Sequence, residues 1–110
     1  MTSIGSEAFR HCIKMTSVTL SDGLTSIGDG AFALCSGLTG VTIPSSVVSI
    51  GSEAFKECYG LTSMIIPPGV VSIGDGAFQE CNKLVLTVEE GSYAEQYAKE
   101  NNIPYGIAIK

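Results

Sequence analysis

One text recurs along this chain. Ile4-Gly5, Ile27-Gly28, Ile50-Gly51 and Ile73-Gly74 stand 23 residues apart, and Ala8/Ala31/Ala54/Ala77, Phe9/Phe32/Phe55/Phe78 and Cys12/Cys35/Cys58/Cys81 keep the same spacing. A unit of that size cannot bury its own apolar side, so it must stack on copies of itself. The period therefore predicts an α/β repeat: a solenoid of about four 23-residue coils. It would have a parallel strand ladder and short helical turns.

Each unit divides into the same parts. Leu38-Thr39-Gly40-Val41-Thr42-Ile43-Pro44 places apolar residues at its first, fourth and sixth positions, and Met15/Val18/Leu20 and Leu61/Met64/Ile66 repeat the arrangement. The later half alternates with period two, as a strand buried on one face should. Pro44 and Pro67 lack an amide donor and mark the strand's end. A second extended stretch follows in Leu24–Ile27, Val47–Ile50 and Val70–Ile73, closed by a glycine expected to permit a turn. Ser6, Asp29, Ser52 and Asp75 read as N-caps for a single helical turn over Ala-Phe-x-x-Cys. Stacked coils would align the phenylalanines, isoleucines and cysteines in columns about 4.8 Å per step.

After Cys81 the pattern changes. Leu84-Val85-Leu86-Thr87-Val88 alternates strictly, whereas a faithful copy would carry apolar residues at 87 and 89, where Thr87 and Glu89 stand. Ser92 and Glu95 then form a capping box, Tyr93/Tyr97 and Ala94/Ala98 form an apolar stripe, and Glu95 precedes Lys99 at i,i+4. Asn101-Asn102 and Pro104 end that helix, and Tyr105 to Ile109 reads as a last strand. We therefore expect a solenoid over residues 1–91 and a helix–strand cap over 92–110 shielding its open end. Met1-Thr2-Ser3-Ile4-Gly5 aligns with Leu24-Thr25-Ser26-Ile27-Gly28, with Met1 in a leucine-like slot. The chain thus begins inside a unit, and we expect it to be a piece of a longer protein.

Composition narrows the function classes. The 110 residues are 45% hydrophobic and 15% charged, which suits a packed fold rather than a disordered chain. With six Lys plus Arg and a net charge of −5, no basic stripe exists to neutralise phosphates, so nucleic acid is not an expected partner. No apolar run is long enough to span a bilayer, and no signal peptide is visible.

The motif Leu-x-x-Val-x-Ile-Pro followed by Ile-Gly-x-x-Ala-Phe-x-x-Cys resembles the BspA-like (treponemal-type) leucine-rich repeat family. The stretch from Gly91 through Asn101 is similar to an ending common in that family. The resemblance covers essentially the whole chain, departing at Ser21, where proline is usual. It implies a leucine-rich-repeat solenoid without enzymatic activity, a place on the cell surface or in the secreted fraction, and adhesion to proteins such as those of a host extracellular matrix.

The residues with chemical potential have bland readings. Zinc needs thiolates converging on one point, whereas a column spreads its sulfurs along an axis. Parallel Cβ vectors between coils also stay outside the preferred disulfide range. Buried free thiols are the expectation, with an inter-coil disulfide as the alternative. His11-Cys12 could be a base beside a nucleophile, but Leu34, Glu57 and Glu80 occupy the equivalent of His11. Asp29-Gly30 and Asp75-Gly76 offer one carboxylate each, against the six or more oxygens calcium takes. No cofactor, metal site or catalytic set is expected.

What remains is surface. Thr16, Ser17, Thr19, Thr39, Gly40, Thr42, Thr62, Ser63 and Ile65 should face outward from the strands, with Tyr59 as a further exposed anchor. Extended faces of this kind bind proteins in many repeat folds, although the strands of this one lack the Trp, Tyr and Arg that anchor many interfaces. Two functions are open: a protein-binding or adhesive module that uses this face, and a spacer within a longer array that binds nothing. The N-terminal coil shows no cap and is a candidate for self-association.

Overall fold

A computed structural model describes residues 2–108. Chain order is β1 (Ser3–Ile4), β2 (Ser17–Thr19), β3 (Ser26–Ile27), β4 (Gly40–Thr42), β5 (Ser49–Ile50), β6 (Ser63–Ile65), β7 (Ser72–Ile73), β8 (Val85–Val88), α1 (Tyr93–Glu100) and β9 (Tyr105–Ile107). The strands form two parallel sheets, β1-β3-β5-β7 and β2-β4-β6-β8-β9. Each coil adds one strand to each sheet, and a run of turns joins them on the third flank. The fold is the expected parallel-strand solenoid. Met1 and Ile109, the first read as a leucine equivalent and the second as the end of the last strand, lie outside the described residues.

Register follows the sequence period. Ile4 pairs with Ile27, Ile27 with Ile50 and Ile50 with Ile73, while Val18 pairs with Val41 and Thr19 with Thr42. Inward positions close the core: Leu38, Val47, Phe55, Leu61 and Val70 are fully buried. The Phe9, Phe32, Phe55 and Phe78 rings stack at centroid separations of 5.3, 5.3 and 5.6 Å. Pro44 and Pro67 follow the strands, and their carbonyls accept from Val47 and Val70; Ser21 accepts from Leu24 in the same way, so the missing proline leaves this turn intact.

The Ala-Phe-x-x-Cys stretch is not a helical turn. Ala8, Arg10 and Cys12 donate three residues back, to Gly5, Glu7 and Phe9, while Glu7, Phe9 and His11 donate to the next coil at Asp29, Ala31 and Ala33. Every second amide is thus committed to a neighbour, which a helix could not spare. The left-handed backbone at Glu7, His11, Leu34, Glu53, Glu57 and Glu80 turns alternate amides outward. The expected N-cap is correspondingly not one: Asp29 Oδ1 accepts from the Ser52 amide of the following coil at 2.9 Å. The glycines at 28, 51 and 74 also have a different purpose. Gly28 is not left-handed; a Cβ there would lie 2.7 Å from the backbone of Ile4 and Gly5. Close approach of coils requires it.

The last coil is one residue shorter across its strand. Met64 pairs with Leu86 and Ile65 with Thr87, a spacing of 22. The slip puts Leu86 and Val88 in the core where the 23-residue period would put Thr87 and Glu89.

α1 begins as expected, with Ser92 Oγ accepting from Glu95 at 3.1 Å. Glu95 reaches back to the amide of Gly91 (2.8 Å) rather than to that of Ser92, which donates to Glu89. The expected Glu95–Lys99 ion pair is not among the ion pairs of the described residues. Ala94, Tyr97 and Ala98 are buried, and the Tyr97 ring meets Phe78 edge-on at 6.4 Å, ending the phenylalanine column.

Candidate functional site: the outer face of the five-stranded sheet

Because side chains alternate across a strand, β2, β4 and β6 send Val18, Val41 and Met64 inward and leave their flanking residues outside. Ser17, Thr19, Thr42, Ser63 and Ile65 are exposed and Gly40 is half-exposed, and these six surround a shallow depression of about 400 Å³. Ladder pairing sets Ser17 beside Gly40 beside Ser63, and Thr19 beside Thr42. Thr16, Thr39 and Thr62 are also exposed but stand just before the strands, at the edge of this face. There Thr39 donates both its amide (2.8 Å) and its hydroxyl (2.9 Å) to the Thr16 carbonyl. Tyr59 is exposed in the turn before Leu61 rather than on a strand, and its hydroxyl donates to Glu57 at 2.7 Å. That carboxylate raises the Tyr59 phenol above its ordinary value.

The face is a neutral sheet of hydroxyls with one large apolar side chain, Ile65, 66% exposed. Val85, in register with Ser63, adds a second that the sequence reading passed over. Its outward position was implicit in the strict alternation of residues 84–88. Val48 and Val71 form another exposed apolar pair, beside the four-stranded sheet. They are equivalent residues of successive coils, a coincidence that the period alone could have exposed.

The cysteines are free. Each of Cys35, Cys58 and Cys81 donates its thiol to a phenylalanine carbonyl of the preceding coil, at 3.1, 3.1 and 2.9 Å. Burial raises the Cys35 thiol. The adjacent Cys81 thiol and burial together raise that of Cys58. Such groups are poor nucleophiles, because the thiolate is the reactive form. His11 sits exposed in a left-handed turn. Among the described residues no three His, Cys, Asp or Glu side chains group as a metal site.

Comparison with known proteins adds family and fold. The model of the BspA type leucine rich repeat region (6 copies) matches residues 1–101. No curated protein matches. A leucine-rich repeat protein from Bacteroides ovatus is similar in structure, with a TM-score of 0.85 and 28% identity over 98% of this chain. A leucine rich cell surface protein from Faecalibacterium prausnitzii has a TM-score of 0.83 and 25% identity over the whole chain. The Treponema pallidum leucine rich repeat protein shares the fold at a TM-score of 0.57, with 24% identity, over 79% of this chain and 52% of its own. This chain spans 28% and 30% of the first two proteins.

Proposed function

Because the chain belongs to the BspA-type leucine-rich repeat family, whose repeats generally serve protein interaction, we propose that it is an adhesive module of a larger surface or secreted protein. The outer face of the five-stranded sheet receives the partner, through Thr16, Ser17, Thr19, Thr39, Thr42, Thr62, Ser63 and Ile65, with Tyr59 at its margin. The observation that carries this reading is Ile65, 66% exposed on the central strand of a flat face of hydroxyls. An exposed apolar side chain among short polar groups can be desolvated by a partner without stranding a charge. A surface location is supported by the F. prausnitzii neighbour, described as a cell surface protein. No helix among the described residues is long and apolar enough to cross a membrane.

Immobilised chain should capture a protein from a panel of extracellular-matrix and serum proteins. A folded Thr42→Glu/Ile65→Glu variant should lose that capture with an unchanged Tm. Equal capture by both would move the site off this face, and no capture at micromolar concentration would favour a spacer without a ligand. Self-association through the first coil is a second proposal, carried by Phe9 and Ile13, which are 38% and 51% exposed. Light scattering should then show a concentration-dependent mass that Ile13→Glu reduces to that of a monomer.

A further inference from the structure

Each coil passes three backbone amides to the coil after it. Glu7, Phe9 and His11 donate to Asp29, Ala31 and Ala33 at 2.8, 2.7 and 2.8 Å; Gly30, Phe32 and Leu34 donate to Ser52, Ala54 and Lys56 at 2.9, 2.8 and 2.8 Å. Glu53, Phe55 and Glu57 donate to Asp75, Ala77 and Gln79 at 3.1, 2.7 and 2.7 Å. In the last coil the equivalent donors are Gly76, Phe78 and Glu80, and among the described residues no acceptor meets them. α1 does not take over that duty. Its Tyr97 covers the Phe78 ring, but the backbone beyond stands away. A groove of about 410 Å³ remains, lined among others by Gly76, Phe78, Glu80, Tyr97, Asn101 and Asn102.

We propose that this groove binds a short stretch of peptide main chain that takes up the turn conformation of the coils' own ladder, three of whose alternate carbonyl oxygens accept from Gly76, Phe78 and Glu80. The molecule itself supplies the precedent, since three of its own coils are held by such a row. Donors on alternate residues from 76 to 80 are too spread for one inorganic anion to meet all three. The Glu80 carboxylate beside them and the net charge of −5 also oppose an anion. Neutral carbonyls carry no such penalty. The segments that occupy the row inside the solenoid centre on Ala31, Ala54 and Ala77, so the groove selects a small central side chain. Asn101 and Asn102 on the facing wall carry amides that can both donate and accept along the ligand's other edge. Affinity from main-chain bonds and selectivity from side-chain size is the logic of strand addition, applied here to a ladder of turns.

The site lies on a different flank from the outer sheet face, so the two proposals can fail separately. Nitrogen-15-labelled chain would be titrated with the blocked peptide acetyl-Ser-Gly-Ala-Ala-Gln-amide at millimolar concentration, with acetate and inorganic phosphate as controls. Without peptide, the Gly76, Phe78 and Glu80 amides should exchange with solvent on the order of 100-fold faster than those of Glu53, Phe55 and Glu57. With peptide, their proton resonances should move downfield and their exchange should slow at least ~10-fold. The Thr42→Glu/Ile65→Glu variant should respond identically. Slow exchange in the free chain would overturn the proposal by showing the donors already engaged. So would a response to phosphate but not peptide, a peptide response confined to the outer sheet face, or no response at all.

Discussion

At the scale of single residues, two kinds of position carry the fold. The first is the column. Phe55 is fully buried between rings 5.3 and 5.6 Å away, themselves fixed by the backbone ladder. A hole there cannot collapse, so Phe55→Ala should cost about 3–5 kcal/mol in denaturant unfolding. A loss below ~1 kcal/mol would contradict the column. The second is the left-handed turn. Glu7 and Glu53 alternate with Gly30 and Gly76 at one of its two left-handed positions. A Cβ on Gly30 would lie 3.3 Å from Glu7 Cγ of the coil before it, and one on Gly76 would lie 3.1 Å from Gln79 Oε1. At the other position His11 adopts φ 65 while exposed. A left-handed L-residue costs roughly 1–2 kcal/mol, and glycine's extra chain entropy returns part of the gain. His11→Gly should therefore stabilise the chain by ~0.5–1 kcal/mol, raising its denaturation midpoint.

Among the elements, the helix–strand end shows how the stack is closed. Tyr97 presents its ring edge to Phe78 and donates its hydroxyl to the Gly74 carbonyl at 2.8 Å. Tyr97→Phe keeps the ring and should cost about 1 kcal/mol for the lost hydrogen bond. Tyr97→Ala also uncovers Phe78 and should cost roughly 3–5 kcal/mol, read by thermal or denaturant unfolding. Comparable losses from the two variants would show that the ring contributes nothing. The sequence announced this helix through Ser92, Glu95 and the spacing of its tyrosines. It did not announce the turn ladder. Phe and Cys three residues apart satisfy a helical face and a turn ladder equally well, and only inter-coil hydrogen bonds distinguish the two.

For the whole molecule, the free thiols link stability to pH. Burial holds the folded-state thiol of Cys35 above the ordinary 9.0, whereas the paired Cys58 and Cys81 thiols shift in opposite directions and offset each other. Below that value both states keep the proton and nothing changes. Above it the unfolded chain ionises first, so the stability contributed by Cys35 falls until pH passes its folded-state value. Unfolding free energy should drop as pH rises above about 9, and Cys35→Ala should reduce the drop. In the native chain Cys35 and Cys58, fully buried, should resist a thiol reagent that modifies them on denaturation. The outer face was legible in the same periodicity. Period-two alternation placed Thr42 and Ile65 outside, whereas Tyr59, in a turn with no period of its own, was assigned by exposure alone and stands off the sheet.

By itself, the sequence determined what repeats. A constant spacing of 23 residues can be satisfied only by identical coils in register, and it dictated the columns, the inward positions and the parallel ladders. Tertiary structure decided what breaks or completes the period. The one-residue slip that buries Leu86 and Val88 depends on pairing with Met64 and Ile65. Gly28, Gly51 and Gly74 answer to the backbone of the coil before them. The donors at Gly76, Phe78 and Glu80 are left over because the next layer is a helix, which presents no carbonyl row in their register. Periodicity is a local property of the chain, but every one of these outcomes is a contact between coils, and contacts exist only once the stack has formed.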